Sequence, residues 1–433
     1  MIHTRSSIVN IVGCLQDLTE INGQPNVHNM IFNGGFNQNI IIERLQLTIS
    51  PLSPLVGFIK TQGAESGVVI EDVRIQGYLE TSPQNTMLEP EYLFSIEGFI
   101  HFQDVVIEHI YLRSGSIIQV IGLRRSADDS RMEWLGKTSI GLYSCTFDDV
   151  TSNETSLIIL HEKDLENNPT LSNKNQINSI LIDNSEKTTK FIIQDTIFSN
   201  CSTSLHWSNQ VSKGGLINVI NKKVKLEILN SEFRNIQIKA RNMIYLGWSG
   251  KEPNLSEMKL LTITETLIVN CSSVIPDMKV LSPPAEQFTT QMSNIQSEIQ
   301  EIYKDVSHEL YEDGAVIYDS VYKHGLIHID NQNKLGDSIS LAFIDVKGIF
   351  VSGCHSAVGS AFTIKGLTVE IIESVFIQPL CYGNMIYLNQ TRSTLMNCYF
   401  KGYNGTFINL PTISGAESQI NSEYQSEESN DNT

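Results

Sequence analysis

FIIQDTIFSNC, residues Phe191 to Cys201, carries the register that decides the fold. With Phe198 as anchor, the apolar Ile193 stands five residues before it, the acid Asp195 three before, and Cys201 three after. The register returns at Phe233 (Ile228, Asn230, Ile236) and at Ile268 (Ile263, Glu265, Cys271). It also covers Leu47, Ile75, Ile107, Phe147, Val351, Phe376 and Phe400, which makes ten anchors. An apolar residue precedes every anchor by five: Ile42, Ile70, Phe102, Leu142, Ile193, Ile228, Ile263, Val346, Ile371 and Leu395. Self-similarity of this kind marks a repeat architecture.

A second strand type alternates with the first. It is a short apolar run opened by Gly, Ser or Asn, as in Ser116-Ile117-Ile118, Ser156-Leu157-Ile158, Gly215-Leu216-Ile217 and Asn242-Met243-Ile244-Tyr245. It continues at Gly325-Leu326-Ile327, Ser360-Ala361-Phe362, Asn384-Met385-Ile386 and Gly405-Thr406-Phe407. These runs are too short for helices and are bounded by turn residues. Frequent Ile and scarce Ala favour strands in the same way, because branched side chains suit a pleated surface. The closest anchors, Phe376 and Phe400, are 24 residues apart. Two or three strands of about 3.3 Å rise per residue, with turns, close one coil of that length. Wider intervals are the same coil with surface loops, which solenoids tolerate. The expectation is an all-β fold: a right-handed, single-stranded parallel β-helix of about ten coils.

The β-helix is expected over 30–412, after a lead-in at 1–29. Insertions are read at 81–90, 123–137, 161–189, 247–258 and 273–313. In the last, Ile295, Ile299, Ile302 and Val306 have helical spacing, which predicts one helix over 291–310. From 413 to 433 the chain turns polar and acidic, and a disordered tail is expected.

Gly214-Gly215-Leu216-Ile217 and Asp313-Gly314-Ala315-Val316-Ile317-Tyr318, set beside Phe198-Ser199-Asn200-Cys201, resemble paired GGAI and FxxN or FxxC repeats. Such repeats belong to β-helix proteins of the pectin-lyase-like superfamily, as in polymorphic outer-membrane proteins and protist surface-type proteins. The resemblance covers roughly residues 30 to 410 and implies the fold and a surface or adhesion role. Fold alone lends no activity.

Bulk composition narrows the partners. The chain has 433 residues, 41% apolar and 18% charged, with a net charge of −18. That charge opposes nucleic acid and anionic lipid, so neither a nucleic-acid partner nor direct membrane insertion is expected. No apolar run approaches the roughly 18 residues of a membrane span. The start lacks a continuous apolar region of the signal-peptide type. Location is therefore read two ways: cell surface or extracellular if the chain belongs to a longer secreted protein, otherwise cytoplasmic.

The most prominent polar feature is the column three before the anchors: Asp72, Asp104, Ser144, Asp195, Asn230, Glu265, Glu373 and Asn397. Stacked at about 4.8 Å, these side chains form a ladder. Asp72, Asp104, Asp195, Glu265 and Glu373 would make a ligand or cation stripe, since hard oxygens suit Ca²⁺. The competing reading is a turn position that takes Asp, Asn, Ser and Glu for their backbone hydrogen bonding. The balance favours the turn, because a calcium site needs convergent ligands.

Seven cysteines without paired CxxC spacing give neither a disulfide framework nor a zinc module. Cys201, Cys271 and Cys354 share a column with Ile110, Val150 and Ile236, so they are read as buried packing thiols. Ile236 separates the coils of Cys201 and Cys271 by two rungs, about 9.6 Å, beyond disulfide reach. Cys381 and Cys398 are one coil apart but at different registers. His324 and His328 share a strand face without a third ligand, so no metal or other cofactor is expected. Six glycosylation sequons begin at Asn153, Asn200, Asn254, Asn270, Asn389 and Asn404, and matter only in a secreted chain.

Enzymes on this fold need specific carboxylates. Asp148-Asp149 supplies a DD, but NTD, GHG and RxK motifs do not accompany it. Asp128-Asp129 with Arg131 is the nearest lyase-like cluster. No P-loop, GxGxxG, HExxH or GxSxG is present. No catalytic residue is assigned. The expected function is a non-enzymatic scaffold binding carbohydrate or protein; the alternative is a carbohydrate-active enzyme. Ile75, Ile107, Phe147, Phe198, Phe233, Ile268, Val351, Phe376 and Phe400, with Cys201, Cys271 and Cys354, are its expected structural ladder.

Overall fold

The computed structural model describes residues 8–12, 19–22, 29–36, 39–49, 55–62, 66–77, 92–112, 115–124, 139–152, 155–164, 189–204, 214–220, 224–239, 242–248, 259–273, 326–331, 343–354, 361–378, 385–389, 391–402, 408–409 and 418–426. All regular elements among them are strands, and every strand pairing is parallel. Each coil lays its strands on those of the next, so the chain is a parallel β-helix.

The anchors form one continuous column. Leu47 pairs with Ile75, Ile75 with Ile107, Ile107 with Phe147, and Phe147 with Phe198. Phe198 then pairs with Phe233, Phe233 with Ile268, Ile268 with Val351, Val351 with Phe376, and Phe376 with Phe400. The 83-residue step from Ile268 to Val351 is a single rung like the others. Five residues earlier, Ile42 through Leu395 pair in the same order. The second strand type makes a third column, Ile118, Ile158, Ile217, Ile244, Ile327, Phe362, Ile386 and Ile408.

Burial explains why these residue types sit where they do. From Leu47 to Phe400 the anchors are all at or below 2% exposure. Identical rings one above another stack: Phe147 on Phe198 at 4.7 Å, Phe198 on Phe233 at 5.2 Å, and Phe376 on Phe400 at 5.0 Å, all within 12° of parallel. Removing this apolar area from water, at about 25 cal/mol per Å², is the main favourable term. A coil cannot bury its inward face alone, so the repeats stabilise one another.

The column runs past both expected ends. Ile8–Val12 and Thr19–Asn22 pair with Asn39–Ile49, setting Ile11 beside Ile42 and Ile21 beside Leu47. The lead-in expected before residue 30 therefore contains coil strands. At the other end, Ser418–Ser426 pairs with Arg392–Gly402, setting Ile420 beside Leu395 and Tyr424 beside Phe400. The edge strand offers backbone donors and acceptors that a polar segment satisfies whatever its side chains. The expected helix over 291–310 lies outside the described residues, as does most of each expected insertion.

Candidate functional site

Among the described residues each coil bends three residues before its anchor and six coils bend again two residues after it, and the bends give the polar columns their meaning. Asp72, Asp104, Ser144, Asp195, Asn230, Glu265, Glu373 and Asn397, with Arg44 in the same column, all have φ between 47° and 55°. Gly348 completes the series at φ 64°. This left-handed region favours Gly, Asn and Asp, the last two because a short polar side chain bonds locally. The backbone ladder continues through the bend: the N–H groups of Asp195, Asn230, Glu265, Gly348 and Glu373 donate to the next coil at 2.9–3.1 Å. The stripe is thus a bend, and its side chains point outward.

The five stripe residues do not converge. Asp195 accepts from Asn230 Nδ2 at 2.5 Å and from Gln194 Nε2 at 3.0 Å. Asp104 accepts from Gln103 Nε2, and Glu373 pairs with Lys347 Nζ at 3.5 Å. Among the described residues Asp72 and Asp104 are the only acids on adjacent rungs of this column; the rest are spaced by Ser, Asn or Gly. Among the described residues no group of three or more His, Cys, Asp or Glu is arranged to hold a metal ion. Asp195→Val should lower stability by about 1–2 kcal/mol, the cost of a branched residue in the left-handed region. Asp195→Gly should lie within a few tenths of the parent in urea unfolding. Equal stability of the Val and Gly variants would contradict the bend.

A second left-handed column lies two residues after the anchors: His109, Asp149, Asn200, Asn235, Asn270 and Gly353. Sequence reasoning missed it. Its amides form a ladder, with Asn235 Nδ2 donating to Asn200 Oδ1 at 3.2 Å and Asn270 Nδ2 to Asn235 Oδ1 at 3.5 Å. The residue after a bend turns inward, and where it is Ser, Thr or Cys it caps the bend. Thr196 Oγ1 donates to the Gln194 carbonyl at 2.9 Å, Ser231 Oγ to Leu229 at 2.8 Å, and Ser374 Oγ to Ile372 at 2.8 Å. The thiols do the same: Cys145 to Tyr143, Cys201 to Ser199, Cys271 to Val269, Cys354 to Ser352 and Cys398 to Met396, at 3.2–3.4 Å. The signal was legible as recurring dipeptides, Ser-Cys, Asp-Thr, Asn-Cys, Asn-Ser and Glu-Thr. A small donor there gives the buried carbonyl a partner, while other coils place an apolar residue such as Val73, Ile236 or Ile349 at that point. Burial pushes the Cys201 thiol up to about 12 and that of Cys145 up to about 11, so these are inert packing groups.

The densest chemistry sits at the second bend of the coils anchored by Ile107 and Phe147. Asp149 Oδ2 accepts from the Tyr111 hydroxyl at 2.5 Å and lies 2.9 Å from His109 Nδ1. Its neighbour Asp148 accepts through Oδ1 from Ser199 Oγ at 2.5 Å and Asn200 Nδ2 at 2.8 Å. Glu108 is the in-register neighbour of Asp148 and is held on its far side by Arg74, Nε to Oε1 at 2.7 Å. Burial, then the bond to Asp149, raises Tyr111 from its ordinary 10 to about 12. A raised phenol stabilises the fold fully below pH 10 and loses that contribution as pH climbs through 12. Alkaline unfolding should therefore be less steep between pH 10 and 12 in Tyr111→Phe than in the parent.

The same two coils carry rings on their outer strand face. Phe99 and His101 lie 5.3 Å apart, and His101 and Tyr143 6.3 Å apart in a T-shape. All three are half-buried. Glycines underlie them: a Cβ on Gly141 would meet the Tyr143 ring at 2.6 Å and His101 at 3.0 Å, and one on Gly67 would enter the Phe99 ring. His101 Nε2 lies 3.1 Å from Ser139 Oγ, and burial lowers its pKa.

The other residues singled out in the sequence do not join this cluster. His328 lies tilted against Tyr245 at 5.6 Å, while His324, Cys381 and the Asp128-Asp129-Arg131 loop lie outside the described residues. Asn200 and Asn270 are exposed. No helix among the described residues is long and apolar enough to cross a membrane. Comparison with protein-family models, curated proteins and solved structures yields no match.

Proposed function

We propose that the chain is a non-enzymatic β-helix scaffold of a surface or adhesion type that binds carbohydrate through the outer face of the coils at 99–112 and 139–152. The repeat resemblance to pectin-lyase-like surface proteins supports this reading. The observation that carries it is the direction of the two carboxylates. Asp148 is tied forward to Ser199 and Asn200, whereas Asp149 is tied backward to His109 and Tyr111. Glycoside hydrolysis needs two carboxyl groups facing one bond, and these two turn apart along the solenoid axis. Held carboxylates, amides and hydroxyls suit the hydroxyls of a sugar, and the half-buried rings of Phe99 and Tyr143 offer it apolar faces.

The alternative is a carbohydrate-active enzyme. It draws on Glu108 standing in register with Asp148, next to Asp149, with Arg74 bound to Glu108. A glycan array with a set of uronate polymers, monitored for unsaturated or reducing-end product, separates the two. The scaffold reading expects retention without product, weakened at least tenfold by Tyr143→Ala or Asp149→Asn in folded protein. Product release abolished by Asp149→Asn would replace it with the enzyme.

A further inference from the structure

Five buried thiols lie among the described residues, and the rungs bring two of them together. The pairing of Ile268 with Val351 and Val269 with Ser352 places Cys271 and Cys354 on consecutive coils of one inward column. Asn270 N donates to Ser352 O at 2.9 Å, so the register holds to the bend itself. Both thiols are at 0% exposure. They point the same way: each donates to the carbonyl two residues before it, and each also reaches the preceding coil, Cys271 to Phe233 O at 3.4 Å and Cys354 to Ile268 O at 3.6 Å. Burial pushes the Cys271 thiol up, while the neighbouring Cys271 lowers that of Cys354. Among the described residues the other three stand beside other side-chain types. Cys201 stands between Val150 and Ile236, Cys145 is followed by Thr196, and Cys398 follows Ser374.

We propose that Cys271 and Cys354 are a cross-link site, joined as a disulfide that closes the coil across the longest interval of the repeat. Parallel neighbours stand about 4.8 Å apart, inside the Cα range of disulfides. The oxidant is a low-molecular-weight disulfide such as oxidised glutathione. The thiolate of one cysteine attacks it, forming a mixed disulfide and releasing one glutathione thiolate. The second cysteine, as thiolate, attacks the protein sulfur of that bond and expels the second glutathione. Two protein thiols become one disulfide, and one glutathione disulfide becomes two glutathiones. The bond ties residues 83 apart in sequence, so it restricts the unfolded chain strongly. Exchange meets these thiols before burial is complete, or when the coil opens.

The test holds the full-length chain in oxidised and reduced glutathione mixtures, both folded and refolded from urea. Samples are acid-quenched, alkylated in denaturant and mapped by peptide mass spectrometry. The expected result is a Cys271–Cys354 peptide pair lighter by two hydrogens, with Cys145, Cys201 and Cys398 alkylated. The cross-linked chain should unfold at higher urea than the reduced one. That difference should vanish in Cys271→Ser and Cys354→Ser and persist in Cys201→Ser. Serine caps the other bend of the coil in the same way at Ser231 and Ser374, so these variants keep a donor of the kind the fold uses. Alkylation of both cysteines in both regimes overturns the proposal, as does a bond from either one to another cysteine in refolded protein.

Discussion

Phe233→Ala should lower the unfolding free energy by about 3–5 kcal/mol, the range for deleting a buried aromatic ring. The ring has no exposed surface and lies parallel to Phe198 at 5.2 Å, with Ile268 on the next rung. Its loss leaves a void between two coils that cannot close, because backbone hydrogen bonds fix the rung spacing on both sides. Phe198 would also lose one stacking partner, worth about 0.5–1.5 kcal/mol beyond area. Ile268→Val, one methylene smaller in the same column, should cost only about 0.5–1.5 kcal/mol. Urea unfolding followed by circular dichroism measures both. A loss below about 1 kcal/mol for Phe233→Ala would remove Phe233 from the core ladder.

That column was readable before any coordinates because burial constrains it at every coil. Large apolar side chains fill the interior at the anchor positions, so Leu47 through Phe400 repeat in type even where loops stretch the interval. The ends were harder. Ile11 and Ile21 are ten residues apart, against five in the repeat, and Ser418–Ser426 is polar enough to pass for a tail. In each case the backbone ladder sets the strand. The bends were half legible. Asp195 was recognised as a turn residue, but the column of Asn200, Asn235 and Asn270 was hidden, because its neighbours Cys201 and Ile236 drew attention to the core. The cluster around Asp149 was least legible. His109 and Tyr111 precede it by about 40 residues, and only the coil register makes them neighbours. The cysteine pair is a different case: Ile268 and Val351 are successive anchors in the sequence, but a column that Cys271 and Cys354 share with aliphatic residues reads as packing.

Gly98→Ala should be among the most damaging single substitutions, with an expected loss of at least about 2 kcal/mol, a non-glycine residue in this part of backbone space alone costing about 1–3. Gly98 sits inside the long strand Tyr92–Leu112. Residues before it pair with Ser116–Arg124, and residues after it pair with Ser66–Gly77 and Ser139–Tyr143, so the chain changes face at this glycine. Its φ of +141° is a conformation that side chains rarely adopt, and a Cβ there would overlap the backbone oxygen of Ser66 on the preceding coil. Neither the strand nor its neighbour can move aside, because Ser66 and Gly98 are paired in register. The flexible ring of Phe99 over Gly67 can rotate away, so Gly67→Ala serves as the comparison and should cost less. No periodicity marked Gly98, since it interrupts a pattern of apolar residues without resembling a turn. If Gly98→Ala unfolds at the same urea concentration as the parent, the change of face is not made at this residue.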